Sequence, residues 1–210
     1  MSSPQPTAKI IKLPSGAVSK RLERVKRLRA AVEKKLFQLM GSLSANVADA
    51  LFEEMTDLEK QAALDCHFNI MRAVKKNGDA LNQALHKQMG HSWAGLIHRR
   101  DKQPIPDAPS DVTAILKTFS DKNLNHYKIL LKELQLRFCN LSNRKVAFHP
   151  LLPGNFYLSF WHATEVLNLT YQERKLLLPL FNRFVMDRFG QILSIGNQTL
   201  VELDVPASFE

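Results

Sequence analysis

Cysteine is scarce in this chain of 210 residues, and its scarcity excludes several classes of protein. Cys66 and Cys139 are the only two. They lie far apart and form no C-x-x-C pair, so neither a disulfide framework nor a zinc site is expected. Both fall in helical patterns, where a buried and reduced thiol is the usual state. We therefore expect a reducing, cytoplasmic location.

Long apolar runs and sequence motifs for catalysis are also absent. No uncharged apolar stretch approaches the roughly 18 residues of a membrane span, and the N-terminus lacks the apolar region of a secretory signal. We therefore expect no transmembrane segment. Neither Walker A, G-x-G-x-x-G nor G-x-S-x-G occurs in the sequence. No catalytic residue and no cofactor is predicted.

Seven histidines raise the question of a metal site. His86, His91 and His98 are separated by five and seven positions, whereas ligands on one helix face are three or four apart. H-E-x-x-H is absent, and no carboxylate cluster accompanies these residues. We predict no metal site and interpret them as surface histidines.

Charge is distributed unevenly along the chain. The net charge is +9, and residues 1–35 hold ten bases and two acids, a net of +8. The other 175 residues hold 19 bases and 18 acids. The body is therefore near neutral, and the N-terminus is a basic arm.

The basic arm is the strongest positive indication of function. Cations in the first turns of a helix are disfavoured by the macrodipole, by a few tenths of a kcal/mol each. An anionic partner would offset that cost. The alternative is a solvated helix face with internal pairs such as Glu23–Arg27. The residues predicted to contact the partner are Lys20, Arg21, Arg24, Arg27 and Arg29.

Three- and four-residue spacing of apolar positions runs through most of the sequence, and no useful stretch alternates with period two. We predict an all-α bundle of about seven to eight helices. Residues 1–16 form a disordered basic tail and residues 17–210 a single helical domain, which the Pro-rich linker 99–110 can subdivide. The predicted helices span 17–41, 44–55, 58–77, 79–98, 111–118, 121–141, an aromatic helix from about 155, and a last long helix from 170.

Capping signals and prolines set several of these boundaries. Capping boxes are predicted at Thr56–Glu59 and Thr170–Glu173, and Pro179 is expected to kink the last long helix. The most apolar region follows Ala147 and supplies the predicted core, with Phe160, Leu177, Phe181 and Phe184 buried. Phe156, Phe160 and Trp161 lie at helical spacing. We interpret them as core residues, although a stacking platform for bases is the alternative.

The order of these features resembles a known family. HYKILLKELQLRFCNL is followed by the turn His149-Pro150-Leu151-Leu152-Pro153, by NFYLSFWHATEVLNL, and by a Leu/Phe-rich segment that ends at Val205-Pro206. KKLFQLMGSLSANVADALFEEMTDLEKQAALDCHFNIMRAVKKN is similar to the opening helices of the same family. The chain resembles the proteobacterial family known as domain of unknown function 1631 over most of residues 30–206.

The resemblance implies a bacterial, cytoplasmic, helical protein without an established activity, and it supplies no functional residues. Some members are labelled thymidine phosphorylase, a label that nothing in this sequence supports. Others carry a module similar to cyclic di-GMP-binding PilZ domains, which we do not expect within these residues.

Three interpretations of function remain. The first is a non-catalytic helical interaction or regulatory module whose partner is another protein. The second is a nucleic-acid-binding protein, or one that binds another anionic surface, through the basic N-terminal helix. The third is an enzyme of unknown class. Ionic strength separates the first two, because binding to phosphates weakens steeply with salt.

Overall fold

The computed structural model describes residues 15–55, 61–97 and 107–208. Within these ranges 86% of the residues are helical and none is in a strand, which confirms the all-α prediction. When adjoining helices of this part are joined they number six, slightly fewer than predicted. The α-helices are α1 (Ser15–Met55), α2 (Gln61–Ile97), α3 (Ser110–His126), α4 (Lys128–Ser142), α5 (Pro153–Ala163), α6 (Tyr171–Phe184) and α7 (Phe189–Glu202), with short 3-10 helices at Thr164–Leu167 and Met186–Arg188.

α1 is one helix of 41 residues, so the predicted end at Gly41 and the new start at Ser44 are wrong. The buried stripe crosses this point without a gap, through Leu39, Met40 and Leu43. A glycine inside a helix costs only about 1 kcal/mol relative to alanine. Apolar burial on both sides of Gly41 therefore keeps the helix continuous. α1 also begins at Ser15, and residues 1–14 of the predicted tail lie outside the described residues.

α2 continues through the predicted boundary at Asn77-Gly78. Asn77 has non-helical dihedral angles (φ −119°, ψ 22°), so the helix kinks there instead of ending. Val74 and Leu81, on either side of the kink, are both buried. The predicted capping box at Thr56–Glu59 lies outside the described residues, as does most of the linker 99–110.

The later helices also divide at places other than those predicted. The predicted break between 118 and 121 is wrong, because α3 runs through it to His126 and the interruption falls at Tyr127. The predicted last long helix is two helices. α6 passes through Pro179 to Phe184, and a 3-10 turn separates it from α7. Val185 and Met186 are fully buried at that turn, so the chain bends where its apolar side chains enter the core.

The predicted core is confirmed with one exception. Phe160, Leu177 and Phe181 are fully buried, whereas Phe184 is partly buried at the edge of the cluster. Phe156 and Trp161 are buried as well, which favours packing over a stacking platform. Buried apolar residues from every described α-helix, on both sides of the linker, belong to one hydrophobic cluster.

The N-terminal part of α1 lies beside the C-terminal ends of both α2 and α7. α1 packs against α2 and α7, and α2 packs against α5. Arg21, near the start of α1, reaches the carbonyl oxygen of Ile97 at the end of α2. Arg24 shares a groove with Asp204, just after α7. The N-terminal half of α1 therefore lies antiparallel to both helices.

Candidate functional site

The first half of α1 is amphipathic, which decides where its bases point. Val25, Leu28, Val32 and Leu36 follow helical spacing and are buried. The bases occupy the remaining sides of the helix, and Lys20 and Arg27 are exposed. Since residues on one helix cannot all face the same way, the five predicted contact residues divide into two groups.

Arg21 belongs to the first group, whose side chains form contacts with other helices of the fold. Its Nη2 atom donates a hydrogen bond to the carbonyl oxygen of Ile97 at 3.3 Å. That carbonyl lies in the last turn of α2, where helix carbonyls lack intrahelical partners. Arg21 therefore caps α2, and its side chain is partly buried.

Arg29 belongs to the same group and forms a three-residue polar cluster with Glu33 and His86. Arg29 Nε donates to Glu33 Oε1 at 2.7 Å, and Arg29 Nη2 lies 3.2 Å from His86 Nε2. The other ring nitrogen of His86, Nδ1, is 3.2 Å from Glu33 Oε2. A neutral imidazole that donates from Nδ1 and accepts at Nε2 satisfies every one of these contacts.

This cluster connects α1 to α2 around a buried carboxylate, because only 9% of the Glu33 side chain is exposed. A buried carboxylate requires paired donors, and Arg29 and His86 provide them. The spacing of Arg29 and Glu33, four residues apart, could have predicted their pairing. No sequence signal places His86 beside them, since it lies on another helix.

Lys20, Arg24 and Arg27 form the second group, on the side of α1 that faces solvent and α7. Arg27 Nε lies 3.3 Å from Glu23 Oε1, and both side chains are more than half exposed. Lys20 and Arg24 form no hydrogen bond or ion pair with any residue that the structure describes. Their charges remain open to an external partner.

These three residues line a groove of about 560 Å³ between α1 and the end of α7. Ser19 and Glu23 complete the α1 wall. The opposite wall consists of Glu202, Leu203 and Asp204. We call the first the cationic wall and the second the acidic wall. The cationic wall could be predicted from the sequence and the acidic wall could not, because the two walls lie far apart along the chain.

The acidic wall carries more negative potential than its two carboxylates supply. Glu202 is the last residue of α7, and the C-terminus of a helix bears a partial negative charge. Glu202 accepts a hydrogen bond from Gln198 at 3.2 Å, which leaves its charge unneutralised. Among the described residues, no ion pair joins Glu202 or Asp204 to the cationic wall.

The acidic wall is held in place by the chain around it. Asp204 has φ 52°, in the left-handed region that aspartate tolerates better than most residues. Its amide donates to the carbonyl of Val201 at 2.9 Å, and the amide of Val205 donates to that of Leu200 at 2.9 Å. Arg137, on α4, donates to the carbonyl oxygen of Val205 and, at 3.1 Å, to Asn197 Oδ1. The wall is therefore a fixed end of the helix.

A second polar cluster lies between α3 and α6. Lys175 Nζ lies 2.8 Å from Asp111 Oδ2, and the hydroxyl of Tyr171 donates to the other carboxylate oxygen. Hydrogen bonds from Lys175 and then Tyr171 lower the pKa of Asp111 to about 2. The same bond to Asp111 raises the pKa of Tyr171. These contacts join two helices at the surface.

His149, in the turn before α5, is buried and has no polar partner for either ring nitrogen among the described residues. Its ring stacks on Phe138, with centroids 4.7 Å apart. Burial lowers the pKa of His149 to about 3, so the ring stays neutral. Asn155 donates to its carbonyl oxygen at 2.8 Å, which fixes the turn. The histidine acts as a packed aromatic residue.

The remaining predictions concern the histidines, the cysteines and membrane-spanning helices. His86 and His91 are exposed, as expected, whereas His98 lies outside the described residues. Within the described ranges, no group of three or more His, Cys, Asp or Glu side chains could hold a metal ion. Cys139 is buried as predicted, but Cys66 is partly exposed, and both thiols are free. No described helix is long and apolar enough to cross a membrane.

Comparison with known proteins gives one match. The family model for the N-terminal domain of DUF1631, a protein of unknown function, matches residues 22–204. The matched range contains both walls of the groove except Ser19 and Lys20. No curated protein and no solved structure matches the chain.

Proposed function

Because the chain belongs to the DUF1631 family, whose activity is unknown, we propose from its geometry that this helical domain is a non-catalytic interaction module that binds another protein. The observation that carries the proposal is the pair Lys20 and Arg24. Both line a groove, and neither has a partner among the described residues. The rigid helices on either side supply a preformed surface for a partner.

The position of these cations on α1 supports an external partner. On the described part of α1, Glu23 pairs with Arg27 and Glu33 pairs with Arg29, but no acidic residue pairs with Lys20 or Arg24. Arg21 and Arg29 are used inside the fold, as described above. The contact set proposed for a partner is therefore Lys20, Arg24 and Arg27.

A protein partner fits this groove better than a nucleic acid does. The phosphate backbone is uniformly negative and would meet Glu202 and Asp204 as well as the cations. Nucleic acid remains the second candidate, because Lys26 and Lys34 are also exposed on α1.

The proposed setting is the bacterial cytoplasm. The two free thiols support it, since Cys66 is partly exposed and would be prone to oxidation in an oxidising compartment. The role proposed there is regulatory or scaffolding, through the groove.

Photo-crosslinking in cells tests the proposal directly. A photoreactive amino acid at Ser19, in the groove, should crosslink to a protein, and the same amino acid at Lys132, on α4, should not. Lys20→Ala, Arg24→Ala and Arg27→Ala together should abolish the crosslink. The matched control replaces three exposed lysines elsewhere, Lys122, Lys128 and Lys132, with alanine and should preserve it. Equal crosslinking from Ser19 and Lys132, or no effect of the groove variant, would contradict the proposal.

Titration with polyanions tests the second candidate. Duplex DNA, single-stranded RNA and anionic vesicles are each titrated against the wild type and the groove triple variant at low and moderate salt. If nucleic acid is the partner, losing three phosphate contacts lowers the salt slope by about three. Absence of binding to all three polyanions would exclude that candidate and leave the protein-binding proposal in place.

A further inference from the structure

We propose that the groove between α1 and α7 is a two-fold interface with a second copy of this chain. In this dimer the cationic wall of each copy faces the acidic wall of the other. The inference rests on the proposed function, and it names the partner that the groove binds.

The two walls carry equal and opposite charge. Glu23 already pairs with Arg27 on the cationic wall, which leaves the charges of Lys20 and Arg24. The acidic wall has Glu202 and Asp204. Each wall therefore presents two uncompensated charges, and the charges of one wall match those of the other in number.

Symmetry converts this arrangement into self-complementarity. Consider a two-fold axis that lies in the plane of the interface and runs parallel to the groove. Rotation about this axis exchanges the two sides of the groove and leaves each position along its length unchanged. The cationic wall of one copy then faces the acidic wall of the other. Both walls line the same groove, so this axis brings the charged residues of each wall opposite those of the other copy. Two copies can then form four ion pairs. An isologous interface requires the same surface patch on both copies to be complementary to itself, and this groove meets that requirement.

Other partners neutralise the charge of only one wall of the groove. A polyanion or a purely acidic peptide neutralises Lys20 and Arg24 but meets Glu202, Asp204 and the negative end of α7. A second copy neutralises both walls.

The energetics predict a weak dimer. Exposed ion pairs contribute little individually and are screened by salt. We therefore expect self-association at low salt that weakens as ionic strength rises.

Charge reversal tests the interface. The double variant Lys20→Glu/Arg24→Glu has two acidic walls, and Glu202→Lys/Asp204→Lys has two basic walls. Sedimentation equilibrium of the full chain at low salt should show self-association of the wild type and monomers of each variant. An equimolar mixture of the two variants should associate again, because their walls are complementary. Circular dichroism checks that both variants are folded.

A control variant with the same charge change separates the interface from net charge. Lys132→Glu/Lys145→Glu alters two exposed lysines outside the groove and should self-associate at least as well as the wild type. A wild type that stays monomeric at low salt, or a variant mixture that fails to associate, would overturn the dimer. If the groove crosslink to another protein persists in that case, the proposed function stands and only this inference fails.

Discussion

The ring of Phe160, on α5, stacks on that of Phe181, on α6, with centroids 4.0 Å apart and planes 10° from parallel. Both residues are fully buried. Tyr157 also contacts Phe181, edge to face, with centroids 5.9 Å apart. Phe181 therefore packs α6 against the aromatic side chains of α5.

Replacing Phe181 with alanine should lower the free energy of unfolding by about 3–5 kcal/mol, because the change removes buried surface and leaves a cavity. Urea denaturation followed by circular dichroism measures the effect. Phe148→Ala is the control, since Phe148 is 48% exposed and should change stability by less than about 0.5 kcal/mol. Similar denaturation midpoints for the two variants would contradict the packing described.

Two glycines should respond to alanine in opposite directions. Gly41 lies within α1 with nothing within 4 Å of an added Cβ, so Gly41→Ala should raise stability by about 0.5–1 kcal/mol. At Gly196 an added Cβ would lie 2.8 Å from Cδ1 of the buried Leu151, so Gly196→Ala should lower stability by about 1–3 kcal/mol. Thermal melting distinguishes them. A loss of stability at Gly41 would mean that α1 ends there after all.

Arg29 and Arg24 are both bases of α1 but should differ in their effect on stability. Arg29→Ala leaves the buried carboxylate of Glu33 with only His86 as a partner, and should cost about 1–3 kcal/mol. Arg24→Ala removes a side chain without a described partner and should change stability by less than about 0.5 kcal/mol. Chemical denaturation of both variants at neutral pH measures the difference. Equal stabilities would show that the cluster contributes nothing.

The stability of the protein should fall as the pH drops below about 6.5, partly because of His149. Burial lowers the pKa of this histidine from 6.5 to about 3 in the folded state. Between these values the unfolded chain binds a proton that the folded protein does not, so acidification favours unfolding by about 1.4 kcal/mol per pH unit. His149→Leu removes this contribution, and its stability should fall less between pH 7 and pH 5. Parallel pH profiles for wild type and variant would contradict the assignment.

Features set by neighbouring residues could be predicted from the sequence. Thr170 and Glu173 form the predicted capping box, with the Thr170 amide donating to Glu173 Oε2 at 2.7 Å. The aromatic core followed from apolar spacing in the same way. The failures at Gly41 and Asn77 have a different cause. There the local signals favoured helix ends, but burial against other helices kept the helices continuous.

The groove could be predicted only in part. Lys20, Arg24 and Arg27 stood out because a run of bases is visible along the chain. The engagement of Arg21 with Ile97 and of Arg29 with His86 depends on α2, and no local pattern indicates it. Glu202 and Asp204 resemble ordinary surface acids until α7 is placed beside α1. Charge on one helix was therefore predictable, and its electrostatic surroundings were not.

The contact between α1 and α7 also has a consequence for biosynthesis. A ribosome makes α1 early and α7 late, so the apolar stripe of α1 stays incompletely covered until nearly all of the described chain has emerged. The hairpin of α1 and α2 can form sooner, because its contacts are closer in sequence. Until α7 is made, however, the apolar surface that α7 will cover remains exposed and can cause aggregation. We therefore expect nascent chains that stop before α7 to depend on chaperones and to be degraded rapidly.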